Sequence, residues 1–536
     1  MITRAWMTLL LFASLGSTLA QPLEDPPIRP ERTEWRETSR YQDVIDFLEA
    51  VVPKSDKLHL RTFGYTNEGR ALPLVIAGPT DSPTPESIRS RGDTRVFIQA
   101  NIHAGEVCGK EALQQLVRDL AGGQFSHWFD HLTLLIAPIY NADGNERIAL
   151  TNRPGQHGPI GGMGQRPNAQ DLDLNRDHMK VESPEARCLI RLFQEYDPHV
   201  IVDLHTTNGT VHGYHLTYSP PLHPNTPAAI DQLLREAWLP KMTQKIRERD
   251  GWEFYYYGNL GGRGEARGWY TFDHRPRFNN NYAGLRNRFG ILSEAYSYAT
   301  FEERVIASKH FVEEICEYAA THAREIRQIT AAADAQDLID QELAVRAQHA
   351  RSPEKVTILL GGAETEPNPY SGARMRRRTE ERRPEEMYEY GTFEATVTET
   401  VPAAYFVPGR LRAVRERLDA HGVVYRELKE DWTGEAETFA ITSTETAERE
   451  FQGHNERTLE GSWQAAGVET VPAGTLVVPM NQPLARLTFS LLEPRSDDGL
   501  AAWNVLDNAL REASSYPILR SRDRAVLGAT EGAGQR

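Results

Sequence analysis

Five short apolar runs constrain this chain most: Leu72–Ala77, Val96–Ile102, Leu132–Ile139, Val200–Leu204, and Ile291–Leu292 with its flanks. Continuous runs of this length read as strands buried on both faces. Stretches with apolar residues at helical spacing separate several of them, such as Lys110–Leu120 and Pro184–Glu195, and Tyr41–Val51 precedes them all. Strands alternating with helices predict an α/β fold: a mixed, mostly parallel sheet flanked by helices. In such sheets ligands bind beyond the carboxyl ends of the strands.

The residues that follow each run therefore matter. His103-Ala-Gly-Glu106 follows the second run, Asn141-Ala-Asp143-Gly144 the third, His205 the fourth and Glu294 the fifth. Two histidines and two glutamates thus gather at one sheet edge. A catalytic zinc site takes three protein ligands, His₂Glu among the known sets, and leaves a position open for water. A further carboxylate off the metal can move the proton. His103, Glu106 and His205 supply the ligands, which leaves Glu294 for the proton. His-x-x-Glu recurs at His310–Glu313 and His322–Glu325, in charge-rich predicted helices where an exposed face explains it better.

A further acidic segment, Asp171-Leu-Asp173-Leu-Asn175-Arg176-Asp177, precedes the Pro184 helix. With the other pieces it makes an ordered set, beginning at Gly64-Tyr-Thr-Asn-Glu68-Gly69-Arg70 and running through His103–Glu106, Asn141–Gly144, Asp173–Arg176, Asp203-Leu-His205 and Leu292-Ser-Glu294. Over roughly residues 40–320 the chain resembles the carboxypeptidase A-like zinc metallocarboxypeptidases. The resemblance implies one Zn²⁺ per chain on His103, Glu106 and His205, with Glu294 as general base and then acid. It implies that Asn175 and Arg176 hold the terminal carboxylate of a peptide substrate, and that Asp173 accepts from the far nitrogen of His103. An arginine polarising the scissile carbonyl should lie between Asn141 and Asn175; Arg153 and Arg166 both qualify. A tyrosine closing over substrate should precede Glu294, with Tyr282 nearest in context and Tyr270 the alternative. The polar, cationic run Phe278–Arg288 is expected to line the specificity pocket. Two other readings share these residues. One is a zinc amidohydrolase of the same fold acting on cell-wall peptides or N-acyl amino acids. The other is an inactive binding protein, which absence of a ligand or of Glu294 would favour.

Beyond the first unit, Arg304–Glu325 and Ala331–Ala350 are expected as closing helices. The charge-dense Arg374–Glu386 reads as a solvated linker, because its signs alternate. Thr392–Val401, Thr438–Thr442, Thr475–Val478 and Leu487–Leu492 read as strands, and Gly409–His421 as a helix. The expected organisation is a signal peptide at 1–20, a catalytic domain at 21–349 and a smaller strand-rich domain at 350–536.

The N-terminus bears on the compartment, and composition on the partners. Met1–Ala20 places Arg4 ahead of an apolar run and ends Thr18-Leu19-Ala20, the pattern of a cleaved secretory signal. Export to the periplasm or the extracellular space is expected, with no later segment apolar enough to span a bilayer. The formal net charge of −15 speaks against nucleic-acid binding. Three cysteines without a CxxC spacing exclude a disulfide scaffold and a cysteine metal site.

Overall fold

A computed structural model describes residues 26–528; the signal-like segment lies outside them. The strands of the first half are β1 (Leu58–Tyr65), β2 (Ala71–Ala77), β3 (Thr94–Ala100), β4 (Leu132–Ala137), β5 (Val200–Thr207), β6 (Leu216–Ser219), β7 (Phe254–Tyr256), β8 (Asn259–Gly261), β9 (Gly268–Tyr270) and β10 (Phe289–Tyr296). An eight-stranded sheet runs in the order β1-β2-β4-β3-β5-β10-β6-β7. Its centre, β4-β3-β5-β10, is parallel. Antiparallel pairs β1–β2, β2–β4 and β10–β6 flank it. The sheet is therefore mixed and parallel where it matters for the site.

Alternate residues of the central strands feed two cores. Val96, Ile98, Leu134, Ile136, Val200 and Val202 face one side. Phe97, Leu135 and Ile201 face the other. This is the period-2 alternation of a strand, expressed in a sheet that is apolar on both faces. On the first side the helix Tyr41–Val51 buries Val44, Phe47, Leu48 and Val51, the i, i+3, i+4, i+7 stripe. Helix Phe301–Thr321 covers the same side and begins with a capping box between Thr300 and Glu303. Helix Pro184–Tyr196, capped by Ser183, packs Leu189, Ile190 and Phe193 onto the second side.

The second half adds β11 (Glu342–Ala350), β12 (Lys355–Pro367), β13 (Arg374–Tyr390), β14 (Thr392–Thr400), β15 (Ala404–Val407), β16 (Arg426–Glu427), β17 (Trp432–Thr446), β18 (Arg457–Val471), β19 (Leu476–Pro479) and β20 (Leu519–Ser521). Six of them form an antiparallel sheet, β16-β19-β15-β20-β17-β18. The strand-rich expectation holds, but three details differ. Helix Ala323–Asp334 stops early, and residues 342–350 form β11, held by an antiparallel partner in β14. Leu487–Leu492 lies in the helix Ala485–Leu492, buried along its whole length; a short run apolar on every side reads the same for strand and helix. Arg374–Glu386 is no linker: it belongs to β13, paired with β12 and, further on, with β9. Met375, Arg378 and Met387 turn inward there, and pairs such as Glu364 opposite Arg377 balance charge across the ladder.

The two halves also share one core. The cluster holding Phe97, Leu189 and Phe193 continues through Phe406, Val414, Leu418, Leu487 and Trp503. A boundary at 349/350 would cut the last residue from β11. Among the described residues no helix is long and apolar enough to cross a membrane.

Candidate metal centre and catalytic cleft

Strand register brings the predicted residues together. In the parallel β5–β10 ladder, His205 and Glu294 are direct neighbours. On the other side β3 pairs with β5 as far as Ala100–Leu204, and the chain then turns through His103 to Glu106, just ahead of helix Cys108–Ala121. His103, Glu106 and His205 are all buried, with one ligand atom from each within 4.8 Å of the others. His103 Nδ1 lies 3.0 Å from Glu106 Oε1, and His205 Nδ1 lies 2.9 Å from Glu106 Oε2. The outer nitrogens are committed elsewhere. His103 Nε2 donates to Asp173 Oδ1 at 2.9 Å, and His205 Nε2 donates to Asp203 Oδ2 at 2.9 Å. Each imidazole is thereby fixed with Nδ1 facing the centre. The motif Asp203-Leu-His205 does not by itself give Asp203 a role; its position two residues before His205 is the signal that it can hold that imidazole.

Charges around the centre are strongly perturbed. Burial opposes ionisation of Glu106, yet the Arg153 guanidinium and His103 hold its carboxyl well below the usual range. Burial likewise opposes the charge on Asp173, and His103, Arg176 and Arg166 overcome it. Burial also disfavours charge on His205, but Asp203 and Glu106 raise its imidazole well above the ordinary value. Glu294 goes the other way: burial pushes its carboxyl up to about 8, with Glu106 adding to the rise. Its Oε2 is buried without a hydrogen-bond partner among the described residues. Two neighbouring carboxyls thus differ in their hold on a proton, a common property of acid–base sites.

These groups line a cleft of about 590 Å³, together with Arg153, Arg166, Asn175, Arg176, Tyr257 and Phe278. Arg153 contacts Glu106 and donates to the Thr206 carbonyl. Arg166 binds Asp173 through Nε at 2.9 Å and Nη2 at 2.8 Å. A side chain at Gly105 would come within 2.8 Å of Arg153 Nε and the Gly164 carbonyl, which explains the glycine between the ligands. Asn175 Oδ1 accepts from the Asn279 amide at 2.9 Å, which leaves Nδ2 as its donor toward the cleft. The Arg176 guanidinium stacks 4.0 Å above the Phe278 ring.

Tyr282 is not brought to the site. It is fully buried, and its hydroxyl pairs with His421 Nδ1 at 2.8 Å, a partner from the second half of the chain. Tyr270 stacks on Tyr390 at 4.0 Å and is not part of the cleft lining. The tyrosine at the cleft is Tyr257, which the sequence reading missed inside the run Phe254-Tyr-Tyr-Tyr257. Burial beside Glu294 pushes its phenol up to about 12. Of the expected specificity run, Phe278 reaches the cleft, while Arg286 and Arg288 serve His421 and Asp197 elsewhere. The other motif pieces are scaffold: Asp143 accepts from Thr66 Oγ1, the Glu68 amide and Arg70. His310 and Glu313 pair with Asp250 and Arg249, away from the cleft.

Residues 44–273 match the family described as Zinc carboxypeptidase. The chain is 24% identical over 486 residues to carboxypeptidase 2 of Trichophyton tonsurans, covering 85% of this chain and 81% of that protein. It is 23% identical to carboxypeptidase 2 of Trichophyton rubrum over 479 residues, with the same coverage of 85% and 81%. Among solved structures, a metallo-carboxypeptidase from Burkholderia cenocepacia superposes with a TM-score of 0.40 at 17% identity, covering 53% of this chain and 70% of that one. Glu294 lies beyond the matched span and is placed by the strand register alone.

Proposed function

We propose, from the premise that this chain belongs through residues 44–273 to the zinc carboxypeptidase family, that it removes the last residue of peptides carrying a free terminal carboxylate. His103, Glu106 and His205 would hold one zinc ion. The fit is chemical: a His₂Glu donor set converges, and both histidines have their outer nitrogens satisfied by aspartates. When bound, zinc supplies Lewis acidity, lowering the pKa of water and polarising a carbonyl.

The remaining work falls to the chain's own groups. Glu294 accepts the proton of the attacking water at its carboxylate and delivers it to the leaving amine. Arg176 meets the terminal carboxylate as a planar fork, and Asn175 Nδ2 donates beside it. Arg166 is committed to Asp173 through two hydrogen bonds. Arg153 is likewise committed to Glu106 and the Thr206 carbonyl, so either arginine of the cleft lining is placed to meet the scissile carbonyl, where charge develops. Tyr257 takes the place expected of Tyr282 and offers an un-ionised phenol at the cleft wall. The single observation that carries this reading is the register pairing of His205 with Glu294, which sets a carboxyl outside the ligand set directly beside one of its members.

Export to the periplasm or the extracellular space is part of the proposal and rests on Met1–Ala20, while residues from about 350 onward are assigned to a strand-rich companion that supplies none of the proposed catalytic groups. The test is Glu294→Gln. It should retain zinc and lose turnover by orders of magnitude; near-normal hydrolysis by this variant refutes the assignment.

A further inference from the structure

Resting on that reading, we infer that the turn Phe451–His454, supplied by the second half of the chain, positions the carboxylate-binding wall of the cleft, with Gln452 as the positioning residue.

The turn is a tight one within the connection from β17 to β18. Phe451 and His454 exchange both backbone hydrogen bonds, at 2.7 and 3.0 Å. Between them Gln452 and Gly453 have φ of 53° and 79°. Two successive positive φ values are the mark of a type I′ turn, and the glutamine holds its left-handed conformation at some cost. What that conformation gains is direction. Gln452 Oε1 accepts from the Asp173 amide at 2.7 Å, across 279 residues of sequence. Asp173 is the hub of the wall: its Oδ1 accepts from the Asn175 amide at 2.9 Å, and its carbonyl accepts from the Arg176 amide at 2.9 Å. Gln452 itself does not line the cleft.

A second contact from the same turn, supported by Trp503 and Asp498, reaches the wall through Arg277. The Arg277 guanidinium lies 5.4 Å from the Phe451 ring and 4.4 Å from the Trp503 ring. Asp498 accepts from both the amide and Nε of Arg277, at 2.6 and 2.8 Å. The next two residues are Phe278, beneath the Arg176 guanidinium, and Asn279, whose amide fixes the Asn175 side chain. His454 closes the base of the turn on Glu182 at 3.0 Å. Both approaches converge on Asn175 and Arg176; Asp173 also holds the far nitrogen of His103, but through its carboxylate, whereas Gln452 meets its backbone amide. The turn should thus govern how well a terminal carboxylate is held rather than how fast the bond breaks.

The experiment uses the full-length, zinc-loaded protein. Gln452→Met keeps length and removes the acceptor; Gln452→Glu restores an acceptor oxygen at the same reach. For a short peptide with a free carboxylate, Gln452→Met should raise KM about five- to tenfold with kcat within about twofold and zinc content unchanged, the pattern of lost uniform binding. Gln452→Glu should return KM most of the way to wild type. Titration with an N-acetyl amino acid and with its amide reads the same wall without turnover, and only the acid should bind more weakly to Gln452→Met. An unchanged KM and acid affinity in Gln452→Met, or a fall in kcat with KM fixed, overturns the inference. Wild-type turnover separately decides the reading beneath it.

Discussion

At the scale of single residues, the site is defined by what stands behind it. Asp173 and Asp203 each fix one imidazole, so Asp203→Asn should weaken zinc binding about ten- to a hundredfold while leaving the fold intact. Competition with a chromophoric chelator measures this; an unchanged affinity would show that Asp203 does not set the His205 tautomer. Most of the ligand chemistry was legible because each side chain follows an apolar run, and the end of a strand is where a parallel sheet exposes its residues. The tyrosine was not legible. Tyr282 and Tyr257 both sit in aromatic-rich, polar contexts, and what separates them is His421, a partner 139 residues away that draws Tyr282 into the core.

At the scale of elements, the cleft depends on a loop held from outside. Arg153 and Arg166 lie on the long Gly- and Pro-rich stretch after Asn141. The fully buried Arg304 donates to the carbonyls of His157, Gly158, Ser297 and Ala299, tying that stretch to the end of β10. The β12–β13 hairpin ties it again: Glu366 contacts His157, Asn368 donates to the Ile160 carbonyl, and the Arg376 amide donates to Gly155. Arg304→Met leaves several buried carbonyls unpaired and should cost about 3–5 kcal/mol in denaturant unfolding, with kcat falling alongside. A loss below about 1 kcal/mol would mean the loop is held by the hairpin alone. The hairpin could not be read from Arg374–Glu386, whose alternating charges show no apolar period. Its strand character comes from long-range partners, Ile358 and Leu360 on β12 and Trp269 on β9, that surround Met387 in a small core.

At the scale of the whole molecule, the two halves share one hydrophobic core. Val414 and Leu418 from the second half lie in the same core as Leu189 and Phe193 from the first. A chain truncated near residue 350 exposes that face and should fail to give a cooperative melt; a folded, zinc-binding fragment would contradict the shared core. Glu182 links the halves by charge. Burial opposes its ionisation, but His454 and Lys180 bring its carboxyl down to about 2. Its folded value lies below the unfolded one of about 4.3. Its contribution is thus fully present above that pH and is lost as pH falls toward 2. Allowing for solvent screening, it amounts to about 1–2 kcal/mol. Glu182→Gln should flatten this acid limb in melts between pH 5 and 2, and an unaltered limb would place the acid sensitivity elsewhere.

The central claim is that one cleft joins a zinc site to a receptor for a free carboxylate. The most direct measurement follows amino-acid release from one peptide in two forms, free acid and terminal amide, with zinc-loaded and chelated enzyme. The account predicts stepwise release from the free acid, little from the amide, and none after chelation until zinc is returned. Equal cleavage of both forms, internal cleavage, or turnover that survives removal of the metal would contradict it.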